Sequence, residues 1–173
     1  MNIFLIGYRC TGKTSVGNAL SIKLGLTFVD ADERLMENES KTIAEMVSER
    51  GWDYFRQREK EIIKSICALD GQVIATGGGV ILDPDNVAAM KNCGRLIWLR
   101  AEPETIRKRM LKDDLTADQR PALTTQGAAN EIASTLKDRT PYYQTAMDFS
   151  IDTDGRSVEN ICEMIVKRLD GDK

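Results

Sequence analysis

The stretch Gly7-Tyr8-Arg9-Cys10-Thr11-Gly12-Lys13-Thr14-Ser15 constrains this chain more than any other. It reads Gly-x-x-x-x-Gly-Lys-Thr and follows the apolar run Ile3-Phe4-Leu5-Ile6. Apolar residues at helical spacing come next: Val16, Ala19, Leu20 and Leu24. A glycine loop between a strand and a helix lets consecutive backbone N–H groups face one anion. The helix beginning near Lys13 adds its positive N-terminal end. Lys13 is then placed to reach the outer phosphates of a nucleotide as a point charge, and the Thr14 hydroxyl to ligate Mg²⁺. The plain alternative is a tight turn with a solvated lysine. It accounts for the glycines but not for a strand before, a helix after and a position at the extreme N-terminus. Nucleotide binding through Cys10, Thr11, Gly12, Lys13, Thr14 and Ser15 is the expectation.

Which nucleotide is less constrained. No Asn-Lys-x-Asp motif of a guanine-reading switch occurs. The turn Asp152-Thr153-Asp154-Gly155-Arg156 suits an adenine pocket only weakly.

Short β-branched runs recur along the chain at Asn2–Ile6, Thr27–Val29, Gln72–Ala75, Leu96–Leu99 and Phe149–Ile151. Longer segments of helical periodicity separate them. Thr42-Ile43-Ala44-Glu45 spells a capping box, and Asp83-Pro84 sets a cap before a first-turn proline. Strand alternating with helix predicts an α/β fold with a parallel sheet covered on both faces. The continuous apolar runs Ile3–Ile6 and Leu96–Leu99 fit strands buried on both sides. No linker or repeat divides the 173 residues, so one domain is expected over residues 1–173. Only Leu111 to Gly127 breaks the pattern, being polar, proline-bearing and long for a loop in a compact domain.

What the chain lacks narrows its chemistry. It contains no histidine, which removes every His-based catalytic arrangement, and its four cysteines have no paired spacing for zinc. Acid–base work must fall to carboxylates or lysine. A net charge of -3 argues against general affinity for nucleic acid or anionic membrane. No run approaches the roughly 18 apolar residues of a membrane span. The N-terminal segment is too short and uncharged for a signal peptide, and a cytoplasmic location is expected.

Several further stretches bear on an acceptor. Asp30-Ala31-Asp32 ends the second strand, at the sheet edge where ligands bind in such folds. One carboxylate is suited to hold Mg²⁺ through water and the other to accept a hydroxyl proton. Equally, Asp32 could cap the next helix with Asp30 solvated. Arg56, in Phe55-Arg56-Gln57-Arg58-Glu59, reads alone as a solvated helix residue. Thr76-Gly77-Gly78-Gly79 is more telling, because three glycines discard side chains where a backbone must approach something. Arg139-Thr140-Pro141-Tyr142-Tyr143 reads as the end of a helix carrying another arginine.

Taken in order, these motifs resemble shikimate kinase, a family of P-loop kinases of small metabolites. The family pattern runs phosphate loop, D-x-D, F-R-x-x-E, G-G-G, R-P-L and R-x-x-x-Y, and the match extends from Ile3 to about Tyr143. The resemblance implies a P-loop three-layer sandwich around a five-stranded parallel sheet of order 2-3-1-4-5. It implies a substrate-binding region near residues 31–60 and a lid near 111–127. ATP would be the co-substrate and Mg²⁺ the cofactor, held by Thr14 and Asp30. Asp32 would be the base and contact the acceptor hydroxyls, while Arg56 and Arg139 clamp its carboxylate against Gly77, Gly78 and Gly79. Lys13 and Arg120 would neutralise the transferred charge, and Arg156 would sit loosely near adenine. The implied product is shikimate 3-phosphate, on the route to chorismate and the aromatic amino acids.

The lid departs from the pattern, reading Arg120-Pro121-Ala122-Leu123 after an acidic approach at Asp113, Asp114 and Asp118. A gluconate or nucleoside monophosphate kinase shares loop and lid, but a nucleotide acceptor does not call for the Arg56 and Arg139 clamp. A non-catalytic nucleotide switch would be expected to have lost one of Lys13, Thr14, Asp30, Asp32 or Arg120. Without an obvious exposed apolar stripe, a monomer is expected.

Overall fold

The computed structural model describes residues 1–112 and 128–171. Five parallel strands form one sheet in the order β2-β3-β1-β4-β5. They are β1 (Asn2–Ile6), β2 (Thr27–Asp30), β3 (Gln72–Ala75), β4 (Gly94–Arg100) and β5 (Phe149–Asp152). Every expected strand is present and the order is the one that the resemblance implies. The helices are α1 (Lys13–Leu24), α2 (Ala31–Glu39), α3 (Ile43–Cys67), α4 (Pro84–Cys93), α5 (Pro103–Met110), α6 (Ala128–Ala146) and α7 (Val158–Gly171). A short 3₁₀ turn, Val80–Leu82, follows β3.

The central strand shows why two helical layers form. All five residues of β1 are buried, and successive side chains point to opposite faces. Phe4 and Ile6 join Ile74, Trp98, Leu35, Ile63 and Tyr143 in a core on one face. Ile3 and Leu5 join Val73, Ile97, Val16, Leu20 and Ile165 in a core on the other. Each such aliphatic or aromatic side chain contributes on the order of 1.5–3 kcal/mol by leaving water. Phe4 pairs with Ile74 on one side and Leu96 on the other, so a one-residue slip would exchange the two cores.

Local signals start the helices where the sequence places them. Thr42 N donates to Glu45 Oε2 at 2.7 Å and Glu45 N to Thr42 Oγ1 at 3.2 Å, completing the capping box before α3. Asp83 accepts from Asp85 N at 2.8 Å ahead of Pro84. One boundary differs from expectation, and one long helix is interrupted. The α3 helix is interrupted at Gly51 (φ 83°, ψ 172°), a left-handed φ that costs glycine little. The helix carrying Arg139 does not end there but runs through Pro141 to Ala146. Pro141 removes one intrahelical donor, yet Tyr143 and Ala146 beyond it are buried in the core and hold the last turns. Among the described residues no helix is long and apolar enough to cross a membrane.

Candidate active site

The loop after β1 is built to hold an anion. Gly7 has φ 144°, and a side-chain carbon there would collide with the Leu99 carbonyl of β4. Gly12 opens α1 in the left-handed region (φ 96°, ψ 13°), and the first turn of α1 carries no acidic residue to quench its positive end. Thr11 Oγ1 donates to Tyr8 O at 2.8 Å and braces the turn. The buried Lys13 ammonium donates to Gly7 O at 2.8 Å and Tyr8 O at 2.7 Å, lying across the loop beside its N–H groups.

Next to the loop, Thr14 Oγ1 donates to Asp30 Oδ2 at 2.9 Å. The other Asp30 oxygen caps α2, accepting from Asp32 N at 3.0 Å and Glu33 N at 3.3 Å. The cap is therefore Asp30, not Asp32. Because β2 ends at Asp30, the two carboxylates do not share a strand face, and Asp32 sits buried in the first turn of α2. Thr14 and Asp30 offer two hard oxygen donors at the mouth of the phosphate loop. Mg²⁺ bound mainly by phosphates and water needs no more from the protein. Among the described residues no cluster of three or more His, Cys, Asp or Glu side chains could hold a metal by itself.

On the other side of the loop lies an open pocket lined by Asp32, Arg56, Glu59, the three glycines and Arg139 among others. Arg56 is thus no solvated helix residue. Its Nη1 donates to Glu59 Oε2 at 2.7 Å, and its guanidinium lies 5.1 Å from the Phe55 ring centre and 5.6 Å from that of Trp52. Glu59 is almost wholly buried. Burial holds its carboxyl above the usual carboxylate range, with the Arg56 guanidinium only partly opposing. Its Oε1 has no hydrogen-bond partner among the described residues.

Two glycines of the triplet leave no room for a side chain, and the third borders Arg139. A side-chain carbon at Gly79 would overlap the Arg56 guanidinium. One at Gly77 would lie 2.7 Å from Asp32 Oδ1 and 2.9 Å from Glu59 Oε1, and one at Gly78 would lie 3.6 Å from Arg139 Nη1. A merely flexible turn would need one glycine; this backbone lies against both arginines and both carboxylates. Tyr143, stacked on Trp98 with centroids 5.3 Å apart, donates from its phenol to Gly78 O at 2.5 Å. Burial holds that phenol far above its ordinary range, with the Arg139 charge and a hydrogen bond from its guanidinium opposing, so Tyr143 stays a neutral donor tying the glycines to the arginine helix.

One expected residue stands apart from the site. Arg156 is exposed on the turn after β5. Arg109 of α5 reaches that turn instead, donating to Thr153 O at 3.0 Å, Thr153 Oγ1 at 3.1 Å and Cys10 O at 3.2 Å. Arg120, and with it all of the 111–127 stretch but Leu111 and Lys112, lies outside the described residues. Glu59 and Tyr143 stand inside motifs quoted above yet received no role there. Arg9 and Arg109 carry no signal beyond being cations near the loop in space, and for Arg109 that proximity exists only after folding.

A Gly-Lys-Thr loop after the first strand of a 2-3-1-4-5 parallel sheet, facing a pocket with two arginines and a buried carboxylate, defines a P-loop kinase of a small anionic acceptor. Comparison with known proteins narrows the class. The shikimate kinase family model matches residues 9–170. A shikimate kinase of Syntrophus aciditrophicus is 39% identical over 97% of this chain and 90% of its own length. One of Thermodesulfovibrio yellowstonii is 40% identical over 98% and 95%. The structure of the Acinetobacter baumannii enzyme in complex with shikimate superposes with a TM-score of 0.93 at 27% identity, covering 99% of this chain and 94% of that one. The chain belongs to the shikimate kinase family, ATP-dependent phosphotransferases.

Proposed function

We propose that this chain transfers the γ-phosphoryl group of ATP to the 3-hydroxyl of shikimate, giving shikimate 3-phosphate and ADP. What supports this reading is the pocket itself: Arg56, Arg139 and Asp32 converge beside the phosphate loop, two cations for a carboxylate and one carboxylate for a hydroxyl. Arg56 and Arg139 grip the acceptor carboxylate, and the glycine backbone bears on the ring. Asp32 takes the hydroxyl proton as that oxygen bonds to the γ-phosphorus and the bond to the bridging ADP oxygen breaks. Lys13 and the loop N–H groups hold the phosphates in line, and Arg120 is assigned to neutralising the charge of the group in flight. Thr14 and Asp30 would hold Mg²⁺, which neutralises phosphate charge when bound. The enzyme acts as a cytoplasmic monomer on the route to chorismate.

The deciding assay is ADP release by the purified protein with Mg·ATP and, in turn, shikimate, gluconate, AMP or no acceptor. Release only with shikimate, and a 3-phosphate product, is expected. Release with another acceptor would discard the assignments of Arg56 and Arg139 while leaving the loop intact. An Arg139→Ala variant is expected to raise KM for shikimate about 10- to 150-fold, the loss of one charge-assisted contact of roughly 1.5–3 kcal/mol. The KM for ATP should stay within about threefold. Equal effects on both substrates would contradict the clamp.

A further inference from the structure

Arg9 lies within the phosphate loop, but its side chain lines the acceptor pocket instead of the anion cradle. The guanidinium sits 5.6 Å from the Tyr8 ring centre and forms an ion pair through Nη2 with Glu131 Oε1. The two side chains are only 11% and 5% exposed. Glu131 stands near the start of α6, eight residues before Arg139, a separation of about 12 Å along a helix. The α6 helix therefore touches the loop region twice: at its start through the ion pair, and further on where Arg139 meets Gly78. A side-chain carbon at Gly78 would lie 3.4 Å from Gly7 O, 3.5 Å from Arg9 N and 3.6 Å from Arg139 Nη1. The phosphate loop, the glycine triplet and the acceptor-gripping arginine border one small space at Gly78.

Buried ion pairs seldom add net stability over apolar residues of similar volume. What this pair does is fix the position of one element against another. The Arg9 Nε–H is buried and has no partner among the described residues, and the side chain is held by its Nη2 end and the Tyr8 ring.

We propose that Arg9 is a positioning residue that couples the two substrate sites. Through Glu131 it ties the phosphate loop to α6, so that nucleotide phosphates gripping the loop favour the setting of α6 in which Arg139 meets the acceptor carboxylate. Linkage makes the effect reciprocal: shikimate tightens nucleotide binding by the same factor. The inference rests on the acceptor role given to Arg139 above.

The test is calorimetric titration of shikimate with and without saturating Mg·ADP, a pairing that binds both sites without turnover. In the unaltered protein the Kd for shikimate is expected to fall about fivefold or more when ADP is present. In the double variant Arg9→Met/Glu131→Leu, which removes both charges of the ion pair together, that ratio should fall to within about twofold of one. Arg9→Lys, which keeps the ion pair, should retain most of it. If the double variant fails to fold, Glu131→Gln keeps the helix and its hydrogen-bonding group, and the same loss of ratio is expected there. A ratio of one in the unaltered protein, or an undiminished ratio in a folded variant, overturns the coupling role. Weaker shikimate binding at a constant ratio also overturns it and makes Arg9 a direct contact. A protein that binds Mg·ADP but no shikimate sinks the acceptor reading itself, an outcome distinct from all of these.

Discussion

An Asp32→Asn variant is expected to lose about 10²–10⁴-fold in kcat while its KM for ATP stays within about threefold. Asn keeps the size of the side chain and can still hydrogen-bond an acceptor hydroxyl, but it cannot take the proton. The position also makes the control clean. Asp32 Oδ1 and Glu59 Oε1 both face Gly77, and the Asp32 charge is among the influences that push the Glu59 carboxyl up. Replacing one of the two carboxylates by an amide removes that repulsion. The variant is expected to stay folded, with a cooperative thermal transition, even as turnover collapses. A folded variant with kcat within tenfold of normal would exclude Asp32 as an essential base. A fall in Tm together with activity would make the residue structural first.

The fold was legible because its signals are local and agree with one another. Ile3–Ile6 before a glycine loop, a capping box at Thr42 and Glu45, and Asp83 before Pro84 each have a physical cause that acts within a few residues. Strand order and the family's acceptor came from the ordered set of motifs, not from periodicity. The site was legible only in part, for a related reason. A sequence shows which residue types are present but not which of two candidates takes a role: Asp30 caps α2 and bonds Thr14, so that Asp32 is left to face the pocket. Arg56 reads as an ordinary helix cation until Gly79 is seen to have no room for anything beside its guanidinium. The pairs Arg9 with Glu131 and Arg109 with Thr153 join residues 122 and 44 positions apart. Nothing local announces them; they exist because the sheet brings α5 and α6 beside the loop after β1. The helix past Pro141 departs from its sequence signal for the opposite reason. A strong local breaker was overruled by the burial of Tyr143 and Ala146 beyond it.

A Lys13→Ala variant is expected to lose about 10²–10³-fold in kcat, the range for removing one preorganised donor from a developing negative charge. The lysine does two things at once. Its ammonium supplies a full positive charge beside the phosphate cradle, and its bonds to Gly7 O and Tyr8 O close the loop on itself. Alanine removes both, so a second substitution is needed to separate them. Lys13→Arg keeps the charge but brings a planar fork, too large for a buried site where a compact ammonium meets two carbonyls. If geometry and charge both matter, arginine will rescue less than a tenth of the lost kcat; if charge alone matters, it will rescue most. Shikimate affinity measured without nucleotide should move by less than about threefold in either variant, because Lys13 does not line the acceptor pocket. A comparable loss there would mean that the lysine chiefly maintains the loop against which Gly78 and Arg139 pack. A Lys13→Ala enzyme keeping more than a tenth of its kcat would show that the backbone N–H groups and the end of α1 hold the phosphates without it.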